Sequence, residues 1–274
     1  MNRIFTILFF IIFQSVAISA SAQGNLLVTP TRVIFEGKVQ KENLCLVNTD
    51  KDTVTYSVSF LEYAMNENGG FLEIDKPDSS FMIAAPYLRV FPRRITLAPG
   101  ESQTIMLQRR RTAKMGSGEY RSHLYFRSER NYAPLGIKNP SKDSSISVSL
   151  VPIFGLCIPV IIRSGLISVS VKFSDLRLAQ VKDTVQNLAF TINRTGNIST
   201  YGDIRVEFIP KQGKPYEVVL VRGIGVYTTT NRRFITLPLK DKEKRVLKDG
   251  KLKVQYVCAE EGKHNVYAEG ELDI

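Results

Sequence analysis

The chain has 274 residues, 37 Lys and Arg against 26 Asp and Glu, and a formal net charge of +11. A balance this basic points to an anionic partner, while two histidines and three cysteines exclude a His-rich catalytic centre and a fully paired disulfide framework. At this length two domains of about 100 to 150 residues each are expected.

The first 22 residues read as an export signal. Arg3 supplies the positive end, Ile4 to Phe13 the apolar stretch, and Ala20-Ser21-Ala22 a small-residue cleavage site. The apolar stretch is too short to span a bilayer, and no later segment is long and apolar enough, so the mature chain is expected to be exported and not membrane-spanning. Export in turn argues against nucleic acid as the anionic partner.

From there, turn signals alternate with β-branched and aromatic runs, the pattern of a β-sandwich. In the first half, strands are predicted over Leu26–Phe35, Glu42–Asn48, Thr53–Tyr63, Leu88–Leu97, Ser102–Arg109, Glu119–Arg127 and Ile146–Ile162. Asn66 to Gly70 and Ala98-Pro99-Gly100-Glu101 supply turn chemistry, Glu129 to Ser144 is a polar loop, and Tyr120 with Arg121 is read as securing a strand corner. The run Arg109-Arg110-Arg111 is read as a solvated strand end that discourages edge pairing.

The last of these strands is the most informative. Between Ser145 and Arg163 all nine even positions are apolar. Alternate residues of a strand share one face, and the run exceeds the usual strand of roughly 3 to 10 residues. Ser/apolar alternation at its start marks one wet face, whereas Val151, Ile153 and Ile161 make the later part apolar on both faces. The two halves are therefore expected to do different jobs.

The apolar run breaks at Arg163-Ser164-Gly165, which sets the expected organisation: signal 1–22, a first domain over 23–163 and a second over 164–274. Strands in the second are predicted over Ile167–Phe173, Asn187–Asn193, Asp203–Ile209, Tyr216–Val221, Arg233–Leu237, Lys251–Cys258 and Asn265–Ile274. With seven strands apiece, each half can close its own core. Cys45 and Cys157 point away from apolar neighbours on their strands; a bridge between them stays open, and isolated side chains, Cys258 included, are the favoured expectation. HExxH, CxxC, GxSxG and a phosphate-cradling glycine loop are all missing, so no enzyme, no metal and no cofactor are expected.

Several segments in fixed order resemble the PapD-like periplasmic chaperones of the chaperone/usher pathway. They are TPTRVIFEG (29–37), LCLVNTD (44–50), FPRRITLAPGESQTIML (91–107), GEYRSHLYF (118–126) and, in the second half, TINRTGNISTYGDIRVEF (191–208). The resemblance implies an all-β protein of two immunoglobulin-like sandwiches set as a boomerang. It implies binding of pilus or fimbrial subunits by a donated strand, with Leu150, Pro152 and Phe154 on the donated row and Ile146 and Val148 extending it. It also implies that the subunit's terminal carboxylate is held in the cleft by two cations, of which Arg32 is the first. Aligning Arg163 with the arginine that closes the family's long strand puts Pro159 at the second, which leaves Arg163, Arg89, Arg93 or Arg94 as stand-ins. An outer-membrane usher and a self-capping dimer are open as further associations. The alternative expectation keeps the fold without the activity: an exported immunoglobulin-like scaffold or adhesion component of the envelope.

Overall fold

The computed structural model describes residues 26–110, 115–129, 153–180, 186–239, 247–260, 262 and 265–274. Among them the chain is all-β, folded as two sandwiches with separate cores.

The first sandwich opposes two sheets. One has the order β1 (Leu26–Thr29), β3 (Lys41–Asn48), β9 (Ser102–Arg109), β7 (Leu88–Phe91), and the other has β2 (Val33–Phe35), β11 (Gly155–Ser164), β10 (Gly118–Glu129), β4 (Val54–Leu61), β8 (Arg94–Leu97). This is the immunoglobulin arrangement, with outer strands that switch between sheets. Alternation explains the core: on β3 Leu44 and Leu46 are fully buried while Cys45 between them is exposed. Ile105 and Leu107 of β9, Leu124 of β10 and Ile162 of β11 close the same interior.

Two stretches predicted as single strands are each two. Pro30 separates β1 from β2, and Pro92 separates β7 from β8, and in each case the halves lie in opposite sheets. Proline offers no ladder donor, so the chain leaves one sheet at that point and enters the other. The corner at β10 forms through Tyr120, whose hydroxyl accepts from Gly116 N–H at 2.8 Å and whose ring meets Tyr87 edge-on. Arg121, expected to secure it too, instead turns its guanidinium to Glu119, Ser199 and the Tyr227 ring.

A hairpin not anticipated from the sequence, β5 (Tyr63–Met65) and β6 (Phe71–Glu73), leaves the first sandwich and reaches the second. Its turn is the expected Asn66–Gly70 cluster, with the Asn66 side chain accepting from the Asn68 and Gly70 amides. Met65 N–H donates to Thr229 Oγ1 at 2.9 Å, Phe234 N–H donates to Glu67 O at 2.8 Å, and Glu67 pairs with Arg232 at 2.7 Å.

The second sandwich opposes β12 (Val169–Gln180), β13 (Gln186–Gly196), β16 (Arg232–Pro238) to β15 (Tyr216–Val226), β14 (Thr200–Pro210), β17 (Gly250–Cys258), β18 (Val266–Asp273). All seven predicted strands are present. Leu188, Ile192, Ile204, Val206, Val254 and Tyr256 fill its core. Cys45, Cys157 and Cys258 are all free thiols.

Candidate functional site

Strand β11 is the structural origin of the site. Along its whole length it pairs with β10, but on its other side β2 meets it only at Val160, Ile161 and Ile162. From Gly155 to Pro159, therefore, one edge is bonded and the other meets no strand among the described residues. The even residues Ile158, Val160 and Ile162 face the first core. The odd residues Cys157 and Pro159 face a cleft of about 610 Å³ between the two sandwiches.

Each wall of that cleft has a separate source. Thr31 and Arg32 stand just before β2, His123 comes from β10, and Tyr63, Met65 and Phe71 come from the hairpin. Tyr201, Tyr227 and Arg233 come from the second sandwich. The aromatic groups pack on one another: Tyr63 meets His123 edge-on at 5.0 Å, and Phe71 meets Tyr227 at 5.4 Å.

The cleft is electropositive. The Arg32 guanidinium lies 3.8 Å from the centre of the Tyr201 ring, and its Nη1 is buried without a hydrogen-bond partner. Burial, followed by the like charge of Arg121, pulls the Arg32 pKa below its ordinary value. His123 has lost its basicity: burial first, then Arg121 and Arg32, lower it from 6.5 to about 3. It is a neutral ring whose Nε2 lies 3.3 Å from the Tyr227 hydroxyl. His264 lies outside the described residues.

Beside the cleft runs a buried ion network. Glu119, fully buried, accepts from Arg121 Nη2 at 2.7 Å, from Ser199 Oγ at 2.8 Å and from Arg163 Nε at 3.4 Å. Arg163 in turn grips Glu260 with two bonds, at 2.8 and 2.5 Å, and reaches Glu36 at 3.2 Å. Burial opposes the Glu119 charge, but Arg121, Ser199 and Arg163 outweigh it and hold the carboxyl below its usual range. Burial likewise opposes the Arg163 charge, and Glu260 and Glu119 outweigh it and hold the guanidinium above its ordinary value. Residues 36, 119, 121 and 163 belong to the first sandwich and 199 and 260 to the strands and turns of the second, so the network joins the two.

The sequence-derived residues are thus partly brought together. Arg32 sits in the cleft. Arg163, one of the stand-ins left open for the second cation, does not line it, and its guanidinium is already taken up by three carboxylates. Arg89, Arg93 and Arg94 are exposed on β7, β8 and the turn between them, away from the cleft lining, and Arg94 pairs with Glu129. Of the donated row, Ile146, Val148, Leu150 and Pro152 lie outside the described residues. Phe154 is 43% exposed, beside Ile153 at 52%, while its backbone is tied to Ser128. Sequence reasoning missed Tyr201, Tyr227, Arg233 and the hairpin, because only the fold brings them beside Arg32.

No family model matches the chain, and no curated protein matches it. Solved structures similar to it include the YadV chaperone, at 13% identity and a TM-score of 0.44, covering 91% of this chain and 100% of that one. The Escherichia coli chaperone DraB is similar at 13% identity and a TM-score of 0.44, covering 92% and 97%. The Salmonella enterica SafA pilin in complex with the SafB chaperone matches at 11% identity and a TM-score of 0.42, covering 93% and 99%. At this level the likeness carries no functional weight, and function has to be read from the chain's own residues.

Proposed function

We propose that the protein is a periplasmic chaperone of pilus or fimbrial subunits. Residues 1–22 direct export, and the domains 23–163 and 164–274 hold the subunit between them. An incomplete sandwich would add its open edge to β11 and the segment before it, with main-chain bonds supplying affinity and alternate side chains filling pockets. Phe154, with Ile146, Val148, Leu150 and Pro152, forms the donated row, and Arg32 receives the subunit's terminal carboxylate. An outer-membrane usher would take the loaded complex, and the empty protein would cap itself as a dimer.

The observation that carries this reading is the open edge of β11 over Gly155–Pro159, running into a cleft where Arg32 Nη1 is buried without a partner. An exposed edge is a template for another strand. Each apolar side chain buried on capture is worth roughly 1.5 to 3 kcal/mol before association costs. A charge-assisted bond from a half-desolvated guanidinium adds about 1.5 to 3 kcal/mol.

A second reading, an exported immunoglobulin-like scaffold without capture activity, draws on Ile158, Val160 and Ile162, which fill the chain's own core. Calorimetry with a nine-residue peptide of alternating valine and threonine ending in phenylalanine separates the two. Capture predicts that the free acid binds more tightly than its amide by about tenfold or more, that Arg32→Gln erases the difference, and that Phe154→Asp weakens both peptides. If neither peptide binds the parent protein, the scaffold reading stands instead.

A further inference from the structure

Arg233 is the second cation lining the cleft, and it comes from the opposite sandwich. It stands on β16, where its Nη1 donates to the carbonyl of Gly225 on β15 and approaches the Met65 sulfur at 4.0 Å. Its Nε is buried without a hydrogen-bond partner, and no carboxylate pairs with it among the described residues. Burial is the leading influence on its charge, and only the Tyr256 and Tyr227 hydroxyls work in its favour.

The two unneutralised guanidiniums share surroundings. Tyr227 acts on both Arg32 and Arg233, and both act on the Tyr256 hydroxyl. Arg121, the other cation close by, is committed to Glu119 and Ser199 through Nη2.

The hairpin holds Arg233 in place. Gly69, at φ +81°, lies so close that a Cβ there would overlap the Arg233 guanidinium. A side chain at this position would be strained and would push the guanidinium aside. Among the described residues neither half-buried cation has an ion-pair partner, although Glu119 acts on Arg32 from a distance. Such charges are costly to hold without an anion, and each has a buried donor with no hydrogen-bond partner.

We propose that Arg32 and Arg233 together bind one terminal carboxylate across the cleft, so that the second sandwich supplies the charge that Pro159 cannot. This assignment rests on the capture reading above, and it makes carboxylate binding depend on how the two sandwiches are set. A ligand held from both sides also stabilises that setting by mass action.

The test uses the full mature chain and the same peptide as free acid and as amide. The expected result is that Arg233→Gln lowers the acid-over-amide preference from about tenfold or more to about the level left by Arg32→Gln, mainly through lost acid affinity. The Arg32→Gln/Arg233→Gln double variant is expected to lose little more than either single change. Gly69→Ala, which leaves Arg233 in the chain but displaces its guanidinium, is expected to lower the same ratio and keeps the assignment testable should Arg233→Gln fold poorly. A parent-like ratio in Arg233→Gln or Gly69→Ala, with Arg32→Gln alone losing it, would overturn the role of Arg233 and leave capture intact. If the parent binds both peptides equally, carboxylate anchoring fails as a whole; if it binds neither, capture fails with it.

Discussion

Two sets of buried arginines lie side by side in this molecule and differ in one respect. Arg121 and Arg163 are matched by Glu119, Glu260 and Glu36, whereas Arg32 lies over the Tyr201 ring, Arg233 bonds the Gly225 carbonyl, and neither has a carboxylate partner among the described residues. The first set joins the sandwiches within the chain. The second is an incomplete pair of the same kind, and a ligand's carboxylate would complete it. Arg194, buried with its donors spent on the Gly196, Ile198 and Thr230 carbonyls and on Asn231, is architectural without a carboxylate. What sets Arg32 and Arg233 apart is a cleft-lining position together with a buried donor that has no partner.

The largest expected effect breaks the matched set. Glu119→Ala leaves Arg121 and Arg163 buried with part of their charge uncompensated, and urea unfolding is expected to show a loss of about 3 to 5 kcal/mol. Arg32→Gln and Arg233→Gln should behave oppositely in the free protein, staying within about 1 kcal/mol of the parent, because the lost Tyr201 ring contact of Arg32 and the lost Gly225 bond of Arg233 offset the relief of an uncompensated charge. If those two variants destabilised as much as Glu119→Ala, the distinction between the sets would fall.

A pH series sharpens the same contrast. The neutral His123 has a folded pKa of about 3 against 6.5 when unfolded, so the unfolded chain binds more protons between those values. Its contribution is full above pH 6.5 and is lost as pH falls toward 3, by up to about 1.4 kcal/mol per pH unit. Glu62, held by Ser122 and raised by burial from 4.5 to about 7, works in the other direction. Its folded form keeps the proton, so its contribution is full below pH 4.5 and is lost as pH rises through 7. The two oppose each other between pH 4.5 and 6.5. Denaturant melts of Glu62→Gln should therefore gain stability with rising pH across that interval, and those of His123→Gln should lose it. The smallest effect belongs to a charge that is paired but exposed: Arg94→Ala breaks its 2.9 Å pair with Glu129 and should cost only about 0.2 to 1 kcal/mol.

Most of the fold was legible because alternation is local. Leu44-Cys45-Leu46 announces one buried face, and Ser102–Arg109 was predicted with the bounds it has. Leu88–Leu97 was misread because an apolar run looks continuous even where Pro92 sends it into the other sheet. Of the site, Arg32 was legible through its motif, and so was the break at Pro159. Arg233 was not, since it lies some 200 residues from Arg32 in sequence and is brought to the cleft only by the packing of one sandwich on the other. The Asn66–Gly70 turn was visible, but nothing local says that its hairpin reaches Thr229.

The open edge of β11 is the feature on which the account depends most, and backbone hydrogen exchange reads it directly. In the free protein, the amides of Gly155, Leu156, Cys157 and Ile158 that point away from β10 should exchange fast. Saturation with the free-acid peptide should slow them markedly, with the amide form doing so less. Fast exchange that persists at those amides in the peptide-saturated protein would contradict strand capture at β11.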